Sequence, residues 1–142
     1  TNDILRGGTE MTIFETVVTD VGIEAEVFRK EKIMILFGDE APETLTDYCY
    51  KIELNQVRKE ITCDMKLCFD KQMYVITAVG DVVQTNLNEL GHITIKFDGS
   101  HEPELPGTMY VEDKEMPHLR KGTIIKIDQE DQNGGKLYGN HA

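Results

Sequence analysis

Residues 73–97 read MYVITAVGDVVQTNLNELGHITIKF, and the reading of this stretch decides the class of fold. Its first seven residues are rich in β-branched and aromatic side chains and stop at Gly80, the pattern of a strand that runs into a turn. Asp81 then stands where a carboxylate can accept from the free N–H groups of a first helical turn, and Gln84 follows three residues later as its partner in a capping box. Val83, Leu87 and Leu90 fall at i, i+4 and i+7, which predicts a helix over residues 81–90 with one apolar stripe facing a core. Gly91 occupies the position at which a left-handed residue closes a helix. The chain then alternates: Ile93, Ile95 and Phe97 go to one side of a strand, and His92, Thr94 and Lys96 go to the other.

Outward from this stretch, strand signals dominate. Residues 12–21, TIFETVVTDV, end at Gly22, and residues 33–37, IMILF, form a short apolar run closed by Gly38 and Asp39. Pro42 marks a loop, residues 48–54 alternate in part, and a charged, hairpin-like stretch follows at 57–61. Residues 108–111 and 123–127 complete about eight strand candidates, with Gly and Pro between most of them. The expectation is an all-β, barrel-like, mostly antiparallel fold with one short helix covering an end. The domain is expected over residues 11–128, with 1–10 an N-terminal extension and 129–142 a flexible tail.

The chain has 142 residues, enough for one domain with a proper core and no need of disulfides or metals. Fifteen basic against twenty-six acidic residues give a net charge of −11. Such a surface argues against a nucleic-acid partner and against adsorption to an anionic membrane, and it suits a basic protein partner. No apolar run approaches the roughly 20 residues needed to cross a bilayer, and residues 1–10 lack the basic and apolar regions of a signal peptide. Cys49, Cys63 and Cys68 cannot all pair within one chain and have no zinc spacing. A cytoplasmic protein with neither metal nor cofactor is expected.

Motifs for nucleotide cradling, zinc hydrolysis, dithiol redox chemistry and serine nucleophiles are absent from the sequence. Glu102, Glu104, Glu112, Asp113 and Glu115 offer paired carboxylates, but such clusters are ordinarily a solvated acidic face. Of the four histidines, His101 and His118 fall in loops and His141 in the expected tail. His92 differs. It opens a strand on the polar face, beside a hydroxyl and an ammonium. A neutral imidazole there has a lone pair to take and pass on a phosphoryl group, with Thr94 and Lys96 placed to support the charge. The plainer alternative is a half-buried histidine that bonds its strand neighbours and does nothing more.

The block Thr77-Ala78-Val79-Gly80, Asn86-Leu87, Glu89 to Gly99 (ELGHITIKFDG) and Leu105-Pro106-Gly107-Thr108 resembles the enzyme IIA component of the glucitol/sorbitol-specific phosphotransferase system. Ala41-Pro42, Asp47-Tyr48-Cys49 and Gly122-Thr123 add to the likeness, which runs over about residues 11–128. The resemblance implies a small cytoplasmic β protein that accepts phosphoryl from the carrier HPr and hands it to the cognate IIB component, whose IIC partner imports sorbitol. One departure stands out. The family pattern places a histidine shortly after the Tyr-Cys pair, where this chain has Ile52 and Leu54. Either His92 is the acceptor, or the chain is an interaction module that binds transporter or regulatory partners without being phosphorylated. Direct binding of a sugar by the barrel is poorly supported, since there is no Trp for ring stacking.

Overall fold

The computed structural model describes residues 10–130. Eight strands run in the order β1 (Glu10–Val21), β2 (Ile33–Phe37), β3 (Tyr50–Ile52), β4 (Lys66–Phe69), β5 (Gln72–Val79), β6 (Ile93–Lys96), β7 (Thr108–Val111) and β8 (Ile124–Glu130). They close into a barrel in the spatial order β1-β3-β2-β6-β7-β5-β4-β8. Closure leaves every strand with two neighbours and so no unpaired edge. β2 pairs with β3, and β6 with β7, in parallel; the other contacts around the ring are antiparallel. The mostly antiparallel barrel expected from the strand patterns is the fold observed. The expected extension and tail, His141 included, lie outside the described residues, except that Glu10, Gln129 and Glu130 belong to strands.

Alternation along each strand decides what fills the barrel. Leu36, Ile52, Ile76, Ile93, Ile95, Phe97, Ile125 and Ile127 are all buried inside it. Tyr74 and Phe97 meet edge to face with centroids 5.0 Å apart. Burying each such side chain contributes about 1.5–3 kcal/mol, which is what drives closure of a chain this short.

Two elements depart from expectation. Residues 57–61 form no strand; their backbone is held by the helix instead. Val57 N–H bonds Asn88 Oδ1 at 2.7 Å and Ile61 N–H bonds Gln84 Oε1 at 2.9 Å. The eighth strand is β4, joined to β5 by the two-residue turn Asp70-Lys71. Asp70 takes a left-handed conformation (φ 53°), and its carboxylate accepts from the Ile124 N–H at 2.9 Å, which fixes a turn without glycine.

The helical segments differ in detail too. A single turn, α1 (Glu43–Thr46), follows Pro42, and a 3₁₀ turn spans Arg29–Glu31. The main helix, α2 (Val83–Leu90), starts two residues later than expected, and Asp81 does not cap it. Its entry is satisfied by backbone: Val82 N–H bonds Pro106 O at 2.9 Å and Val83 N–H bonds Gly80 O at 3.2 Å. Gln84, freed from a capping box, serves the 59–61 loop. Val83 and Leu87 are buried, whereas Leu90, expected on the same stripe, is 43% exposed. No helix among the described residues is long and apolar enough to cross a membrane.

Candidate functional site

The site begins where α2 ends. Gly91 closes the helix in a left-handed conformation (φ 67°), with its N–H bonded to Leu87 O at 3.0 Å. The next N–H, that of His92, returns to Asn86 O at 3.2 Å. His92 is therefore tied by its backbone to the helix cap before β6 starts. The helix end also touches the end of β2: Gly38 N–H bonds Leu90 O at 2.9 Å. This approach requires glycine twice. A Cβ on Gly38 would lie 2.6 Å from Leu90 O, and one on Gly91 would lie 2.9 Å from Gly38 N.

That contact brings β2 against the histidine ring. His92 Nδ1 lies 3.2 Å from the carbonyl oxygen of Leu36. A carbonyl only accepts, so Nδ1 carries the proton and donates, which leaves the lone pair on Nε2 in the neutral ring. The ring stacks on Phe37 with centroids 4.2 Å apart and planes inclined by 19°. Phe37 is buried yet packs outside the central core cluster, on the outer wall of the barrel. His92 is half-buried, as are Thr94 and Lys96, while Ile93 and Ile95 between them are buried. Hydrogen bond and stack together fix the orientation of the ring, and Nε2 has no hydrogen-bond partner among the described residues.

Thr94 sits two residues along β6, roughly 7 Å from His92 at the Cα level. It lies between Ile35 and Thr108 in register, and its N–H bonds Gly107 O at 3.2 Å. Lys96 is a further two residues on, beside Ile33 and Tyr110, with Nζ 4.0 Å from Asp98. The structure thus places His92 and Thr94 close together and Lys96 toward the far end of the strand. Leu36, Phe37 and Gly38 were missed by sequence reasoning. The signal was present in part: strict alternation through 33–37 puts Phe37 outside with Ile33 and Ile35.

Several of the other candidates find structural employment. His101 is exposed, and exposed His118 has Nδ1 2.9 Å from Glu26 Oε2. Asp113 pairs with Lys32 at 2.8 Å. Glu112 accepts from the Val75 N–H at 2.8 Å, and that bond, with Lys114 nearby, holds its carboxyl below the usual carboxylate range. The buried Cys49 thiol donates to Leu45 O at 3.1 Å, and burial pushes its pKa up. Among the described residues, no three His, Cys, Asp or Glu side chains are grouped to hold a metal ion. A groove of about 660 Å³, lined in part by Glu15, Glu53, Asn55 and Arg58, opens elsewhere on the barrel wall.

Residues 13–126 match the family described as the PTS system glucitol/sorbitol-specific IIA component. The chain is 31% identical over 116 residues to the glucitol/sorbitol-specific EIIA components of Shigella flexneri and of Escherichia coli strain K12, covering 82% of this chain and 94% of each relative. The fold is similar to the crystal structure of a PTS system IIA component from Enterococcus faecalis V583, with a TM-score of 0.72 and 25% identity. That likeness covers 80% of this chain and 98% of the other.

Proposed function

Because the chain belongs to the glucitol/sorbitol-specific IIA family of the phosphotransferase system, we propose that it is a cytoplasmic phosphocarrier that takes phosphoryl from phospho-HPr on His92 and passes it to the cognate IIB component for sorbitol uptake. The observation that carries this reading is the pairing of His92 Nδ1 with the Leu36 carbonyl, which leaves Nε2 as the nucleophilic nitrogen of a ring held against Phe37.

In the first step the Nε2 lone pair forms a bond to phosphorus as the donor's P–N bond breaks, and the departing imidazole keeps that electron pair. The proton on Nδ1 stays where it is, bonded to Leu36 O, and the carbonyl dipole offsets the positive charge that the ring acquires. In the second step the same bond breaks toward a nucleophile on IIB, and the neutral ring returns. Fixing the ring beforehand spares the reaction the loss of side-chain freedom at the moment of transfer. Thr94 offers a hydroxyl on the same face for a phosphoryl oxygen, and Lys96 adds positive charge further along the strand.

The departure at positions 52 and 54 fits this assignment. Ile52 is fully buried inside the barrel, so a phosphoryl acceptor at that place would face the core. Leu54 is 54% exposed but has no atom that can carry phosphoryl. The same two residues favour a second reading, an interaction module that docks on transporter components and is never phosphorylated. Incubation with enzyme I, HPr and phosphoenolpyruvate, followed by intact mass measurement under alkaline conditions, separates the two. One acid-labile phosphoryl group, lost in His92→Ala, supports the phosphocarrier. An unmodified wild-type chain supports the docking module.

A further inference from the structure

A phosphohistidine brings close to two negative charges onto a chain that already carries −11. The segments around His92 add to the difficulty. Asp39 and Glu40 follow Gly38, and Glu89 lies in the last turn of α2, all of them exposed. Some cation has to offset this field. Lys96 is four residues from His92, roughly 13 Å along the strand, and has Asp98 beside it.

Lys51 is placed differently. Across the parallel pair of β2 and β3, Phe37 is in register with Lys51. Across the antiparallel pair of β2 and β6, Leu36 is in register with Ile93, so the next row sets Phe37 opposite His92, where the two rings stack. Lys51, Phe37 and His92 therefore form one row across three adjacent strands. Tyr50 and Ile52 are buried in the core, so the half-buried Lys51 between them faces outward with Phe37 and His92. Two strand spacings, about 10 Å, separate the backbones of Lys51 and His92. A lysine arm on one side and a phosphorylated imidazole on the other span that gap. The paired cations Arg29, Lys32, Lys96 and Lys114 all have a carboxylate within 4.0 Å; Lys51 has none among the described residues.

We propose that Lys51 is the phosphoryl-binding cation of this site, its ammonium reaching past the Phe37 ring to the oxygens of the group carried on His92 Nε2. This rests on His92 being the phosphoryl acceptor. The buried Phe37 between the two excludes water from one side of the contact, which strengthens the attraction relative to an open surface pair.

The test compares wild type, Lys51→Met, Lys51→Arg and Lys96→Met, each labelled by phospho-HPr and separately by phosphoramidate, a chemical donor that does not depend on docking. Phosphorus NMR then follows the last ionisation of the phosphoryl group, and intact mass gives the labelled fraction at equilibrium with phospho-HPr. An ammonium nearby favours the dianion, so Lys51→Met should raise the phosphoryl pKa by about one unit. It should also lower the equilibrium constant for labelling by roughly tenfold. Lys51→Arg should keep most of both effects, and Lys96→Met, further from the ring and beside Asp98, should change both far less than Lys51→Met does. A His92-labelled Lys51→Met protein that titrates and labels like wild type overturns the role of Lys51 alone. Absence of label from both donors, or a label that survives His92→Ala, overturns the acceptor assignment and Lys51 with it.

Discussion

At the scale of single residues, the proposed phosphoryl transfer depends on which nitrogen of the His92 imidazole is free. The Leu36 carbonyl answers that by occupying Nδ1, and the Phe37 ring keeps the imidazole from turning away. Replacing Phe37 by Leu keeps apolar volume but removes the stacked face. We expect Phe37→Leu to slow phosphoryl transfer by about tenfold, with nitrogen-15 shifts of His92 moving from the Nδ1–H tautomer toward a mixture. Unchanged shifts and rate would mean that the stack does not position the ring. His92 itself was legible in the sequence because alternation is local: Ile93, Ile95 and Phe97 point inward, so their neighbours point out. The placement of Leu36 and Phe37 against His92, and of Lys51 in the same row, was not legible, because it depends on β2 pairing with β3 and β6, a register that exists only once the barrel closes.

At the scale of elements, the helix cap and the strand ends are coupled through two glycines. Gly91→Ala would force a Cβ into a left-handed conformation and against Gly38 N. We expect it to destabilise the fold by about 1–3 kcal/mol and to lower transfer activity, read from denaturant unfolding and from labelling rate. A variant with wild-type stability would show that the contact between α2 and β2 has little energetic weight. β3 offers a pH test. Burial, together with the nearby Glu26 carboxylate, pushes the Tyr50 hydroxyl up to about 12. The unfolded chain then releases this proton at lower pH than the folded one, so the contribution is intact below pH of about 10 and falls as pH rises toward 12. Tyr50→Phe should flatten this alkaline limb in thermal melts, and an unchanged limb would contradict the assignment. The elements that the sequence concealed have physical reasons as well. β4 holds only four residues, Lys and Cys among them, and its turn lacks glycine. The 57–61 stretch had strand-like residues, but Gln84 and Asn88 claim its amides.

At the scale of the whole molecule, one closed barrel holds His92 just ahead of β6, on a chain with a net charge of −11. Exposed charge acts mainly on the rate of encounter with a basic partner. Association with HPr should therefore slow as ionic strength rises, since screening acts over about 10 Å at 0.1 M salt. A rate measured by stopped flow that is flat across salt would remove steering from the account. The barrel and its one main helix were legible because strand and helix periodicities are written along the chain; the order of strands around the ring was not, since it brings together segments far apart in sequence. The central claim is that phosphoryl resides on Nε2 of His92. Incubating the chain with enzyme I, HPr and phosphoenolpyruvate and recording proton–phosphorus–nitrogen correlations of the product tests it most directly. The account predicts one phosphoryl group bonded to Nε2 of His92, retained in His101→Ala and His118→Ala and absent in His92→Ala. A phosphoryl group on Nδ1, on another residue, or on no residue at all would contradict it.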